Sequence, residues 1–289
     1  MGRTRSAVGA LAPWSEISVD GVQLAYNDDG AGPPLVCLHA IGHGARDFAT
    51  LREHLRDRYR VIALDWPGQG NSGDDRLPAS APRYAELLNG FLDALGVEPA
   101  VVLGTSIGGA AAWRGAPTQP ARVRALVLAN PGGLDRGGHG LLVRATTGLM
   151  ARFFAAGARG ARWYPRAFAS YYRRVLSEPA AAEQRARIVA AAVEIAPILA
   201  QAWRSFGAPE ADIRPLAPRI ACPVLFTWAT GDWINQLGRC RTAIRRFPNA
   251  RVERFRGGHA AFLEAPDAFL QSLERFLVNV MAGSEPVAA

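Results

Sequence analysis

The chain has 289 residues, a hydrophobic fraction of 49% and a net charge of +8. That length and apolar content suit one large α/β domain, or such a domain carrying an inserted lobe, and exclude both a small disulfide scaffold and a disordered chain. No apolar run nears the ~18 residues of a membrane span, and three cysteines are too few and too odd in number for a disulfide framework. Cys37 and Cys222, in or beside apolar strand-like runs, are expected to be buried thiols. All 33 basic residues are arginine. With no zinc-finger or RNP-like motif beside it, the positive charge reads as a composition bias, and no nucleic-acid partner is expected. The start, Met1 to Trp14, lacks the long apolar stretch of a secretory signal and reads as a leader on a cytoplasmic protein.

In chain order, Glu16–Val19 and Val22–Tyr26 flank the turn pair Asp20-Gly21, which predicts a hairpin. The breaker at 30–34 precedes Leu35–Leu38, a continuous apolar run of the kind buried on both faces of a parallel sheet. Alternation follows. Phe48, Leu51, Leu55 and Tyr59 recur at helical spacing, Arg60–Leu64 reads as a strand, and Tyr84, Leu87, Leu88, Phe91, Leu92 and Leu95 form a helical stripe. Strands follow at Ala100–Leu103 and Val123–Ala129, with a small-residue helix at Ala110–Gly115 between them. From about Leu134 to Leu216 the chain is Ala- and Arg-rich, with helical stripes and no strand. Alternation resumes at Val224–Trp228, a helix near Gly238–Phe247, the strand Arg251–Phe255 and a last helix after Pro266. Beyond Gly283 the tail is expected to be loose. The fold expected is α/β, a doubly wound, mostly parallel sheet with an inserted helical cap. The core would be 1–133 and 217–289, and the cap 134–216.

The strongest chemical signal is Gly104-Thr105-Ser106-Ile107-Gly108-Gly109, a G-x-S-x-G sequence between a strand and a helix. A serine on so sharp a turn needs strained backbone angles, and small neighbours let the turn close. The turn would lift the hydroxyl above the sheet, at a helix N-terminus that favours developing negative charge. Asp232 follows the strand Val224–Trp228, and His259 follows the strand ending at Phe255. A serine hydroxyl is a weak nucleophile; it needs an imidazole to take its proton and a carboxylate to orient that imidazole. The order Ser106…Asp232…His259 supplies all three.

Four segments in this order, Leu38-His39-Ala40-Ile41-Gly42, Asp65-Trp66-Pro67-Gly68-Gln69-Gly70-Asn71-Ser72, the serine turn, and Gly257-Gly258-His259 running on to Glu264-Ala265-Pro266, resemble the α/β-hydrolase superfamily in its cap-bearing branch of esterases and C–C hydrolases. The resemblance runs from about Trp14 to Met281. It implies a triad of Ser106, Asp232 and His259, with the backbone N–H groups of Ile41 and Ile107 as the oxyanion hole, and no cofactor or metal. Ala40 stands where the family usually has glycine. The dehalogenases and epoxide hydrolases of the same branch use a carboxylate at the position of Ser106, so those two activities are not expected.

The expected reaction is hydrolysis of a small-molecule carboxylic ester through an acyl-enzyme. C–C cleavage or lactone opening with the same triad is the alternative, and a cofactor-independent oxygenase or a ligand receptor on the same fold is the alternative of another class. Asp65 is read as structural, with Trp66 and Asn71 as loop scaffolding. His43 is expected to be a loop histidine bonded to backbone rather than a substrate contact, while His54 and His139 read as structural or solvated. Some of the aromatics of the lobe, from Phe153 to Phe206, should line an apolar pocket, and most should hold the lobe to the core. Residues 134–216 hold twelve arginines against six acids, a net +6 of the chain's +8. A solvated helix face explains that charge; an anionic or carrier-linked acyl substrate would be attracted by it.

Overall fold

The computed structural model describes residues 13–97 and 99–283. The leader and the tail expected from the sequence otherwise lie outside them. Eight strands form one sheet: β1 (Ser15–Val19), β2 (Val22–Asp29), β3 (Pro34–Leu38), β4 (Arg60–Leu64), β5 (Ala100–Thr105), β6 (Val123–Ala129), β7 (Val224–Ala229) and β8 (Ala250–Phe255). Their order across the sheet is β1-β2-β4-β3-β5-β6-β7-β8. β1 and β2 run antiparallel to their neighbours, and β3 to β8 are parallel.

The expected hairpin forms with Val19 opposite Val22. Its turn residues Asp20 and Gly21 have φ of +50° and +76°, as a tight turn matched to strand twist requires. The central strands are mostly apolar because helices cover both faces: every residue of β5 and β7 is buried, with Thr105 and Thr227 their polar members. The edge strand β8, by contrast, alternates and carries Arg251, Glu253 and Arg254.

The helices are α1 (Ala49–Leu55), α2 (Ala81–Leu95), α3 (Ile107–Gly115), α4 (Leu141–Ala158), α5 (Tyr164–Val175), α6 (Ala182–Ala190), α7 (Ala196–Ser205), α8 (Leu237–Ile244), α9 (Ala261–Glu264) and α10 (Pro266–Met281). α2 shows how local sequence sets their ends. Ser80 caps its start, with Oγ accepting the Arg83 N–H at 3.3 Å, Pro82 sits in the first turn, and Gly96 closes the end at φ +60°. Its stripe Tyr84, Leu87, Leu88, Phe91 and Leu92 is buried. The spacing that suggested a helix out to Tyr59 ends sooner, at Leu55; Tyr59 instead precedes β4.

Between β6 and β7 the described chain contains helices and no strand. α4 packs on α7, and an aromatic cluster built on Phe153, Phe154, Tyr164, Phe168 and Tyr171 fills the interior of this segment. Side-chain contacts tie it to the rest of the fold, among them Arg187 of α6, which donates to Asp47 at 3.2 Å, and Gln201 of α7, which accepts the Ala79 N–H at 3.1 Å. The cysteines depart from expectation in one respect. Cys37 is buried, but Cys222 is only half-buried, because it lies in the loop ahead of β7 rather than in the strand; Cys240, on the inner face of α8, is buried instead.

Candidate active site

In a parallel sheet the loops after the strands gather at one edge, so residues far apart in sequence meet there. Ser106 follows β5, Asp232 follows β7 and His259 follows β8. Ser106 sits between strand and helix at φ +53°, ψ −116°, a region that costs a non-glycine residue about 1–3 kcal/mol. The surrounding structure holds it there. Its N–H is bonded to Ala129 O at 3.0 Å, and its C=O accepts from Ala110 at 2.9 Å and Gly132 at 3.1 Å. Gly104 and Gly108 permit the turn: a Cβ on Gly104 would lie 2.5 Å from Gly108 O, and one on Gly108 would lie 2.6 Å from Leu38 O.

That second contact presses the serine turn against the loop after β3. There Ala40 O accepts the His43 N–H at 3.2 Å, with Gly42 at φ +75°. This is a type II turn, whose third residue needs a positive φ. Ile41 is the residue before Gly42, and Ile107 is the first residue of α3, so its N–H is among those a helix leaves without an internal partner. Gln69 fixes the loop. Its Oε1 accepts the Gly42 N–H at 2.7 Å, and its Nε2 donates to Tyr84 Oη at 3.0 Å.

His259 and Asp232 are both buried, with His259 Nδ1 lying 2.8 Å from Asp232 Oδ2. A carboxylate can only accept, so Nδ1 carries the proton and Nε2 is left as the acceptor. Burial pushes the imidazole pKa down, but the charge and hydrogen bond of Asp232, with Glu264 adding to them, outweigh it and hold the value above the ordinary 6.5. Asp232 is itself held on every side: Oδ1 accepts Ile234 N at 2.8 Å and Asn235 N at 3.0 Å, and Oδ2 accepts Asn130 Nδ2 at 2.6 Å. Among the described residues the Ser106 hydroxyl makes no hydrogen bond; Ser106 lines a cavity of about 430 Å³.

The other sequence candidates separate. His39 is a fixed neutral histidine: Nδ1 donates to Ala40 O at 2.7 Å and Nε2 accepts the Trp66 N–H at 2.9 Å. Burial lowers its pKa against the pull of Asp65. Asp65 accepts Ala45 N at 2.7 Å and Asn71 N at 2.9 Å, so it shapes the loop, as read. His43 corrects an expectation. Its imidazole is buried and bonded to the Asp47 carboxylate rather than to backbone, because Asp47, four residues on, faces it. His54 and His139 are exposed, the first bonded to Thr50 O and the second beside Asp212. Of the aromatics in 134–216, Trp203 and Phe206 line the cavity, together with Met150 and with Trp233 from beyond the segment.

Three residues that shape the site were not singled out from the sequence. Asn130, at φ +44° after β6, bonds Asp232 and also accepts the Ala229 N–H at 3.0 Å. Its place at a strand end was the available signal. Gln69 lies within a segment already noted. Glu264 collects the N–H groups of Gly258 (2.8 Å), His259 (3.0 Å) and Ala260 (3.1 Å) in the loop that carries the imidazole. From the loop after α5 it also takes Ser177 N at 2.6 Å and Glu178 N at 3.2 Å.

Among the described residues no group of three His, Cys, Asp or Glu side chains could hold a metal, and no helix is long and apolar enough to cross a membrane. A family model described as the alpha/beta hydrolase fold matches residues 33–266. The chain is 30% identical over 266 residues to pimeloyl-[acyl-carrier protein] methyl ester esterase of Xanthomonas oryzae pv. oryzae, which covers 87% of this chain and 97% of that protein. It is 40% identical over 119 residues to a 2-hydroxy-6-oxononadienedioate/2-hydroxy-6-oxononatrienedioate hydrolase of Paraburkholderia phymatum, 38% of this chain and 41% of that one. Its backbone matches a thermophilic esterase from Thermogutta terrifontis with a TM-score of 0.76 at 21% identity, covering 93% and 99% of the two chains. With a strained serine turn on the sheet and a family match over most of its length, the chain belongs to the alpha/beta hydrolase family.

Proposed function

We propose that the protein is a serine hydrolase that cleaves a small-molecule carboxylic ester through an acyl-enzyme, with Ser106, His259 and Asp232 as its triad. The Asp232–His259 bond at 2.8 Å carries this reading, because it fixes the one tautomer in which Nε2 can accept a proton. In the first half-reaction Ser106 Oγ bonds to the ester carbon as its proton passes to His259 Nε2. The carbonyl electrons move to oxygen, where the Ile41 and Ile107 N–H groups receive the charge. The C–O bond then breaks, and the alkoxide leaves with the proton from His259. Water repeats the sequence on the acyl-enzyme and frees the acid and Ser106. The reaction needs a Ser106–His259 hydrogen bond, of the kind that tightens in the Michaelis complex.

Residues 134–216 are read as a lid, with 1–133 and 217–289 as the core; Trp203, Phe206 and Met150 form the lid's wall of the cavity. Esters are preferred to the anionic diketones of C–C hydrolases by the charge of that cavity. Among its described lining residues the one cation is Arg239, and Asp135 already holds it, at 2.5 Å to Nε and 2.8 Å to Nη2. An anionic substrate would have to compete with that carboxylate. The 30%-identical esterase acts on an acyl-carrier-linked methyl ester, so a carrier-linked acyl ester remains within the proposed substrate class. A fluorophosphonate probe should label Ser106 in the wild type and nothing in Ser106→Ala, and a panel of aryl esters of graded acyl length should be hydrolysed faster than a vinylogous diketone acid. Fast loss of the diketone with negligible ester turnover would replace this reading by C–C hydrolysis.

A further inference from the structure

The outward face of α4 combines two properties that a solvated helix does not need together. At 100° per residue, Leu141, Leu149, Arg152 and Arg159, the residue just past its last turn, fall on one stripe. Leu141 is 82% exposed and Leu149 is 66% exposed. Leu142, beside them and 68% exposed, also lines the cavity that holds Ser106. Exposed leucines scattered singly are ordinary, but a cluster of them on one helix marks a contact surface.

The charge around this stripe has one sign. Residues 141–177 contain seven arginines and no acid. Arg152, Arg159 and, from α7, Arg204 rim a recess of about 320 Å³, with Gly148, Ala151 and Ala155 lining it between them. Among the described residues none of these three guanidinium groups has a hydrogen bond or ion pair. Arg144, Arg162, Arg166 and Arg174 of the same stretch have none either, so its positive charge is not neutralised within the fold, whereas Arg187 and Arg214, later in the chain, pair with Asp47 and Asp212.

We infer that this face of α4 docks on an anionic lipid surface. Arg152, Arg159 and Arg204 take phosphate-bearing headgroups, and Leu141, Leu142 and Leu149 enter the boundary between headgroups and acyl chains. Unpaired arginines alone would suit any polyanion. The leucines on the same stripe favour a lipid surface, whose headgroup–acyl boundary takes exposed apolar side chains beside cations; docking of an acidic protein is the outcome that the test separates from it. Because Leu142 belongs both to this face and to the cavity, an amphiphilic ester could pass from the lipid surface toward Ser106 without crossing bulk water. Only that delivery rests on the hydrolase reading; the docking stands apart from it.

The test uses the full chain carrying Ser106→Ala, so that binding is read without turnover. It is sedimented with phosphatidylcholine vesicles that contain or lack phosphatidylglycerol. Binding should require the anionic lipid and weaken as salt is added. Arg152→Ala with Arg159→Ala should reduce it by about thirtyfold, and Leu141→Ser with Leu149→Ser by about tenfold or more. Thermal unfolding confirms that both double variants are folded. Absence of binding to the anionic vesicles, or binding that neither double variant weakens, overturns the proposal. So does binding to polyglutamate or inorganic phosphate in place of vesicles, which would make the recess a site for a soluble anion or acidic protein. Failure of the wild type to hydrolyse esters would bear on the triad and leave the vesicle result standing.

Discussion

Asn130 and His259 converge on one atom: Asn130 Nδ2 lies 2.6 Å and His259 Nδ1 2.8 Å from Asp232 Oδ2. The amide shares the carboxylate's charge with the imidazole and so moderates how strongly the imidazole holds its proton. Asn130→Gly keeps the positive φ at this position while removing the amide. The His259 pKa should rise, and the acid limb of kcat/KM against pH should move to higher pH. Loss of the bond to Ala229 should also lower stability by about 1–3 kcal/mol. An acid limb unmoved in this variant would show that Asn130 only packs.

Asp232→Asn should move that limb the other way. The carboxylate is what raises the imidazole pKa against burial. Without it burial acts nearly alone, and the group loses its proton at lower pH. The neutral imidazole would then be present over a wider pH range, yet kcat should fall by about 10⁴, because the tautomer that leaves Nε2 as the acceptor is no longer fixed. A pH–rate profile across the acidic and neutral range reads both effects.

Ser106→Gly should separate stability from activity. Serine at φ +53° is strained and glycine is not. The variant should unfold at a higher temperature, gaining about 1 kcal/mol, less the entropy that glycine adds to the unfolded chain. Turnover should vanish. Calorimetry beside an ester assay tests the pair, and a lower unfolding temperature would argue against stored strain.

Gln69→Ala removes the acceptor of the Gly42 N–H and leaves that buried group unsatisfied, at a cost of about 1–3 kcal/mol. The turn that carries Ile41 should loosen, so kcat should fall by roughly tenfold or more while KM changes little, since the oxyanion forms only in the transition state. A rise in KM with kcat intact would mean that the loop binds substrate instead.

Glu264→Ala should be the most damaging change outside the proposed triad. It strips acceptors from the N–H groups of Ser177, Glu178, Gly258, His259 and Ala260 at once. We expect at least about 3 kcal/mol of destabilisation in urea unfolding, on the scale of breaking a buried charged network.

The strand–helix alternation, the Asp20-Gly21 hairpin and the serine turn were legible because each depends on residues near in sequence: apolar period, turn chemistry and small neighbours. The order of Ser106, Asp232 and His259 was legible because each follows its own strand, and a parallel sheet brings strand ends to one edge. Three kinds of feature were settled only by the tertiary structure. Asn130 finds Asp232 across 102 positions, Gln69 finds Gly42 across 27, and Ser177 reaches Glu264 across 87. His43 was read as bonding to backbone, yet its partner is Asp47, four residues on, because only the folded loop turns the two side chains toward each other. Which aromatics reach the cavity was likewise invisible, since an aromatic packed inside the lobe and one facing the cavity have the same helical spacing. Sequence fixes what a residue can donate, accept or bury, but which group meets it is decided by chain segments that only the packed sheet and helices bring within hydrogen-bonding distance.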